Sequence, residues 1–99
     1  MRSILVTYRL AIKEEAQKEW KKLNTNIQMQ FKKKLVERLE NPHVLASKLS
    51  NMPNCYKIKL RSAGYRLVYE VRDKDIVVIV IAVGKRERNE VYKTAIKRL

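Results

Sequence analysis

Six consecutive residues, Ile76-Val77-Val78-Ile79-Val80-Ile81, are apolar and β-branched without interruption. A strand with one face in water alternates apolar with polar side chains, whereas this run is apolar at both parities and needs cover on both faces. A sheet built around residues 76–83, with that strand at its centre, is therefore expected. The run to Val83 is eight residues, far short of the roughly 20 that a membrane-spanning helix needs. The N-terminus has Arg2 followed by alternating residues and lacks the continuous apolar block of a secretory signal, so none is expected.

Two more strands are written just upstream. Tyr56, Ile58 and Leu60 alternate with Lys57, Lys59 and Arg61 over residues 55–61, and Tyr65, Leu67, Tyr69 and Val71 alternate with Arg66, Val68 and Glu70. Ser62-Ala63-Gly64 and Asp73-Lys74-Asp75 are the natural turns. Near the N-terminus, Ile4, Val6, Tyr8, Leu10 and Ile12 at every second position predict another strand. From Glu14 the period changes. Ala16, Trp20 and Leu23, then Ile27, Phe31, Leu35 and Leu39, recur at helical spacing, predicting a helical hairpin broken at Asn24-Thr25-Asn26. Thr25 or Asn26 is the expected N-cap of its second helix, and Asn41-Pro42 its end. Residues 43–54 read as a loop with a short turn anchored by Leu45 and Leu49, and Val91, Ala95 and Leu99 predict a closing helix from about Glu87.

The order β-α-α-β-β-β-α is an α+β fold, a mainly antiparallel sheet of about four strands packed by a helical hairpin and a C-terminal helix, with helices expected on one side. Ninety-nine residues suit one small domain; 45% apolar content supplies a core, and 2 Gly and 2 Pro exclude low-complexity structure. One cysteine excludes an internal disulfide, and with one histidine it cannot make an ordinary zinc site. No metal, cofactor or membrane is implied, and the cytoplasm is the expected compartment.

Lys and Arg number 23 against 10 Asp and Glu, a net charge of +13 that points to a polyanionic partner. The excess is local. Between Glu40 and Glu70 there is no acidic residue, while Lys48, Lys57, Lys59, Arg61 and Arg66 all fall in that interval. Placing Leu67 beside Ile58 or Leu60 in an antiparallel pair requires a two- or four-residue turn, and the same register places Arg66 beside Lys59 or Arg61. Lys57, Lys59 and Arg66 are thus expected to share a face. The competing reading is a solvated face on which Glu70 pairs with Lys57. The Gly84-Lys85-Arg86-Glu87-Arg88 turn adds cations at a strand end, just before Tyr92. Arg86 folded back over the sheet would complete a phosphate-sized pocket with Tyr92 available to stack on a base; a plain helix start is the alternative. Lys21, Lys22, Lys32, Lys33 and Lys34 form a solvated helix face that collectively suits docking on RNA. His43, following Pro42, is far in sequence from these strands and is not expected to be catalytic.

The run Cys55-Tyr56-Lys57-Ile58-Lys59-Leu60-Arg61-Ser62-Ala63-Gly64-Tyr65-Arg66-Leu67-Val68-Tyr69, with Gly84-Lys85-Arg86-Glu87-Arg88 and Val91-Tyr92, closely resembles the RelE family of bacterial type II toxins. The resemblance continues through Glu19-Trp20-Lys21-Lys22-Leu23, Lys32-Lys33-Lys34-Leu35, Asn41-Pro42 and Met52-Pro53. It implies a small RelE-like α+β ribonuclease that enters the ribosomal A site and cuts the messenger RNA there, silenced by a cognate RelB-like antitoxin. By position, Lys59 resembles the family's general base, Arg86 its general acid, Lys57 and Arg66 its phosphate stabilisers, and Tyr92 the residue that orients or stacks on the nucleotide. Arg61, Lys85 and Arg88 join the helix lysines as expected RNA or ribosome contacts. The Ser62-Ala63-Gly64 turn is a variation outside that catalytic set, and the early start of the first strand bears on antitoxin contacts.

The chemistry asks much of these residues. A lysine near its usual pKa of about 10.4 is a poor base at neutral pH, but Lys57 and Arg66 beside Lys59 disfavour its charged form. Arginine is a weak proton donor, so Arg86 suits charge neutralisation as well as proton transfer. Two other functions use the same charge: a non-enzymatic basic RNA- or ribosome-binding protein, and a ParE-like toxin acting on DNA gyrase, which has no use for the joined Lys57, Lys59, Arg66, Arg86 and Tyr92 set.

Overall fold

A computed structural model describes residues 7–99. Its strands are β1 (Arg9–Ile12), β2 (Cys55–Leu60), β3 (Tyr65–Arg72) and β4 (Val77–Lys85), and its helices α1 (Glu14–Lys21), α2 (Thr25–Glu40) and α3 (Glu90–Arg98). Ile4 and Val6 of the expected first strand lie outside the described residues. The sheet order is β1-β4-β3-β2, so β4 has a neighbour on each side. β2-β3-β4 is an antiparallel meander, while β1 runs parallel to β4.

Two apolar clusters cover the sheet. On one face Ala16, Trp20 and Leu23 of the first helical segment and Ile27, Phe31 and Leu35 of α2 meet Tyr56, Ile58, Leu60, Leu67, Tyr69 and Val80. On the other, Val91 and Ala95 of α3 join Met52 over Cys55, Val68, Ile81 and Ala82. The expectation of helices on one side is thus corrected: α3 supplies the second cover that β4 needs. Helical spacing identifies the buried stripe of α3 but carries no information about which sheet face receives it.

Local details also depart from expectation. The α2 N-cap is Asn24, not Thr25 or Asn26: its backbone is extended, and its side chain accepts the Ile27 N–H at 2.9 Å. Leu45, in a single 3₁₀ turn over Leu45–Ser47, is exposed, and only Leu49 packs against the second cluster. Leu99 is exposed beyond the end of α3. Ile76 falls in the β3–β4 turn with φ 51°, and β4 instead runs on through Gly84 and Lys85 because these pair with Arg66 and Tyr65. Ile81 and Ala82 both face the second cluster, marking a bulge where the β3–β4 register shifts.

Candidate active site

The β2–β3 hairpin sets the first half of the site. Residues 61–64 form a four-residue turn closed by the Gly64 N–H donating to the Leu60 carbonyl at 2.8 Å, and Gly64 takes the left-handed φ of +72°. This turn pairs Ile58 with Leu67 and Lys59 with Arg66. Directly opposed side chains have Cβ atoms about 4.5–5.5 Å apart, and Lys57 lies two residues along at about 7 Å. The α3 cover ends over β3 and β4, so Lys57, Lys59 and Arg66 stay partly exposed beside it. Core burial and cation clustering follow from one register, as expected.

The second half arrives from β4 and α3. Gly84 lies opposite Arg66, and the Arg86 N–H donates to the Gly64 carbonyl at 2.7 Å, which ties the outgoing loop to the hairpin turn. A Cβ on Gly84 would stand 3.2 Å from Val91 Cγ2, so the bare glycine lets α3 settle close onto the sheet. The result places the Arg66 guanidinium over the Tyr92 ring, 5.4 Å from its centroid, with Arg66 also 3.5 Å from Asn89 Oδ1. Arg88 and Asn89 take left-handed φ values of 47° and 59° in the connecting loop. The Tyr92 hydroxyl is buried and has no hydrogen-bond partner among the described residues.

Electrostatically this corner is uncompensated. Among the described residues, no carboxylate pairs with Lys57, Lys59, Arg61, Arg66 or Arg86. Glu70 instead holds Arg72 Nε at 3.2 Å and sits opposite Cys55, which corrects the alternative pairing with Lys57. Repulsion from Lys57 first, then loss of hydration, then Arg66, Arg61 and Arg86, pulls the Lys59 pKa below the usual lysine value. Arg86 is tied beside the hairpin turn by its backbone, through the bond to the Gly64 carbonyl, and its side chain is exposed. Cys55 is no nucleophile: it is buried, and burial with Glu70 nearby pushes its thiol up to about 11.

Not every sequence candidate converges here. Lys21, Lys22, Lys32, Lys33 and Lys34 are exposed on the helical hairpin, across the sheet from Lys59. Lys85 pairs with Tyr65 and shares that opposite face, while Arg88 is exposed in the loop before α3. His43 bonds Asp73 at 2.9 Å by the β3–β4 turn, at the far end of the strands. No group of His, Cys, Asp or Glu among the described residues is arranged to hold a metal, and no helix among them is long and apolar enough to cross a membrane.

One participant was missed. Arg38 reaches from α2 around the β2 edge, donating to the Lys57 carbonyl at 3.2 Å, the Tyr69 hydroxyl at 2.9 Å and Ser47 Oγ at 3.2 Å. With Ala46, Ser47, Lys57, Lys59 and Arg61 it lines an open depression of about 300 Å³. Its sequence signal was a cation beside Leu35 and Leu39 on the buried stripe of α2.

Comparison with known proteins bears on the family and the fold. A family model described as the ParE toxin of type II toxin-antitoxin system, parDE, matches residues 10–90. The chain is 60% identical over 94 residues to the mRNA interferase toxin RelE of Escherichia coli K12, covering 95% of this chain and 99% of that protein. The chain belongs to the RelE family of type II toxins. Among solved structures, an arginine-to-alanine double variant of E. coli RelE in the free state superposes with a TM-score of 0.88 at 58% identity, covering 94% of this chain and 98% of that one. RelE in the intact E. coli RelBE toxin-antitoxin complex gives a TM-score of 0.79 at 60% identity, over 82% of this chain and 99% of that one. The RelE fold thus extends across the sheet, the helical hairpin and the cationic corner alike.

Proposed function

We propose that this chain is the toxin of a type II toxin-antitoxin system, a ribosome-dependent endoribonuclease that cuts messenger RNA in the A site and so stops translation. The observation that carries the reading is the clustering of Lys57, Lys59 and Arg66 with Tyr92, beside the loop that carries Arg86, where none of these cations pairs with a carboxylate among the described residues. A phosphodiester supplies a countercharge. The Lys59 amine, whose charged form its cationic neighbours disfavour, takes the proton of the ribose 2′-hydroxyl as that oxygen attacks phosphorus. Lys57 and Arg66 neutralise the added charge on the non-bridging oxygens. The P–O5′ bond breaks, Arg86 stabilises or protonates the departing 5′-oxygen, and a 2′,3′-cyclic phosphate is left. Tyr92 orients the neighbouring base.

Lysine and arginine are imperfect catalysts, so a substrate held in line by the ribosome matters: positioning alone supplies roughly 7–11 kcal/mol. That substrate places the protein in the cytoplasm. A cognate RelB-like antitoxin is the expected silencing partner, supported by the solved complex of the E. coli relative.

The test is cleavage of messenger RNA on programmed ribosomes, with fragment 5′ ends mapped for wild type, Lys59→Ala and Arg86→Ala. Each variant is expected to lose at least about 10²-fold in rate, and naked RNA to be cut poorly. Equal cutting by variants and wild type would remove the residue assignment, and comparable cutting of naked RNA would remove the ribosome. Binding without any cleavage favours the non-enzymatic reading; inhibition of gyrase supercoiling favours the ParE-like one.

A further inference from the structure

The side of β4 that faces β1 is paired only up to Val80, where the Lys13 N–H donates to the Val80 carbonyl at 3.0 Å. Beyond that point β1 has ended, and the bulge leaves the Ile81 carbonyl and the Val83 N–H without a strand partner among the described residues. Bare backbone groups in a half-buried position are costly and need partners. Two side chains supply them. Glu19 Oε1, from α1, accepts the Val83 N–H at 3.1 Å, and Arg98 donates to the Ile81 carbonyl at 2.9 Å. The same two groups form a bidentate pair, at 2.8 Å to Oε1 and 3.1 Å to Oε2, with side chains only 17% and 30% exposed for Arg98 and Glu19. Lys13 Nζ then bonds the Arg98 carbonyl at 2.8 Å.

The pair therefore replaces a missing strand and joins two layers, because α1 packs on one face of the sheet and α3 on the other. Its place along the chain gives it a functional consequence. Val83 stands three residues before Arg86, and Arg98 lies at the opposite end of α3 from Tyr92. The two site components that do not come from the β2–β3 hairpin are thus carried by the two segments this pair holds.

We propose that Glu19 and Arg98 are positioning residues for cleavage, setting where Arg86 and Tyr92 stand relative to Lys59 and Arg66. The inference rests on the nuclease reading above, but its structural half is measurable without it. The first experiment is amide hydrogen exchange on Arg98→Ala, Arg98→Lys and Glu19→Gln in the full chain. In Arg98→Ala, exchange of the Val83 and Arg86 amides is expected to accelerate at least about tenfold while the mid-sheet Val68 amide holds its wild-type rate. Equal acceleration at Val68 means plain global destabilisation and overturns the proposal. So does unchanged exchange at Val83 and Arg86.

The second experiment is cleavage on programmed ribosomes, at a temperature where every variant is fully folded. A misplaced but intact site loses turnover, so kcat is expected to fall about tenfold or more in Arg98→Ala with KM within about twofold of wild type. Arg98→Lys, which keeps the charge and one hydrogen bond, recovers part of the loss, and Glu19→Gln, which keeps an acceptor for Val83, loses less than Arg98→Ala. Wild-type kcat in Arg98→Ala overturns the positioning role. Absence of cleavage by wild-type protein defeats the nuclease reading instead, and hydrogen exchange alone then decides whether the pair anchors the Arg86 segment.

Discussion

On the proposed mechanism, the chemistry of the corner turns on the Lys59 side chain. Its pKa is depressed mainly by Lys57, so Lys57→Met should let it climb back toward the ordinary lysine value. If Lys59 is the base, the cleavage rate rises with pH until its amine is free, then levels. Lys57→Met should move that plateau to higher pH and lower the rate at pH 7, each unit of displacement removing about tenfold of the free amine. A pH–rate profile of the bound ribosome complex reads this directly; an unmoved profile assigns the titration to another group. Folding stability moves in the same direction. Because the folded state holds Lys59 below its unfolded pKa, protonated Lys59 opposes folding, and stability rises as pH climbs through the depressed value.

At the level of elements, Gly84 decides how close α3 comes. Gly84→Val should press its side chain into Val91, costing about 1–3 kcal/mol by overpacking and lifting Tyr92 from Arg66; the denaturant midpoint and the cleavage rate should fall together. Deleting Ser62 should do more, since a three-residue turn slips the register that buries Leu67 and aligns Arg66 with Lys59. Loss of a cooperative unfolding transition is the expected result, and a native-like melt would contradict it. That hairpin was legible from parity alone, because two alternating strands with a short turn admit few registers. The β4 bulge was not. The Ile76–Ile81 run that announces a central strand is apolar at every position, so a slip from one face to the other leaves no trace in its pattern. Arg98 was equally hidden: a cation at a helix end reads as solvated until the topology brings Glu19 from the opposite layer beside it.

Two cationic territories stand out among the described residues. One is the corner around Lys59, and the other is the exposed helical hairpin with Lys32, Lys33 and Lys34, across the sheet from it. Net charge of +13 makes association with RNA strongly salt-dependent, and on the proposed mechanism it is the corner that touches the reacting phosphate. The two territories should therefore separate kinetically. Replacing Lys32, Lys33 and Lys34 together by Gln should weaken association with ribosomes and flatten the dependence of log affinity on log salt by up to about 0.7–0.9 per lost phosphate contact, with kcat of the bound complex unchanged. Arg86→Ala should do the reverse, lowering kcat while the salt dependence moves by no more than one contact. Cleavage measured between about 50 and 200 mM salt, the range over which such contacts weaken most visibly, distinguishes the two variants. A helix triple variant with normal affinity and depressed kcat would mean that the lysines act on the reacting RNA, and that the sheet does not separate docking from chemistry.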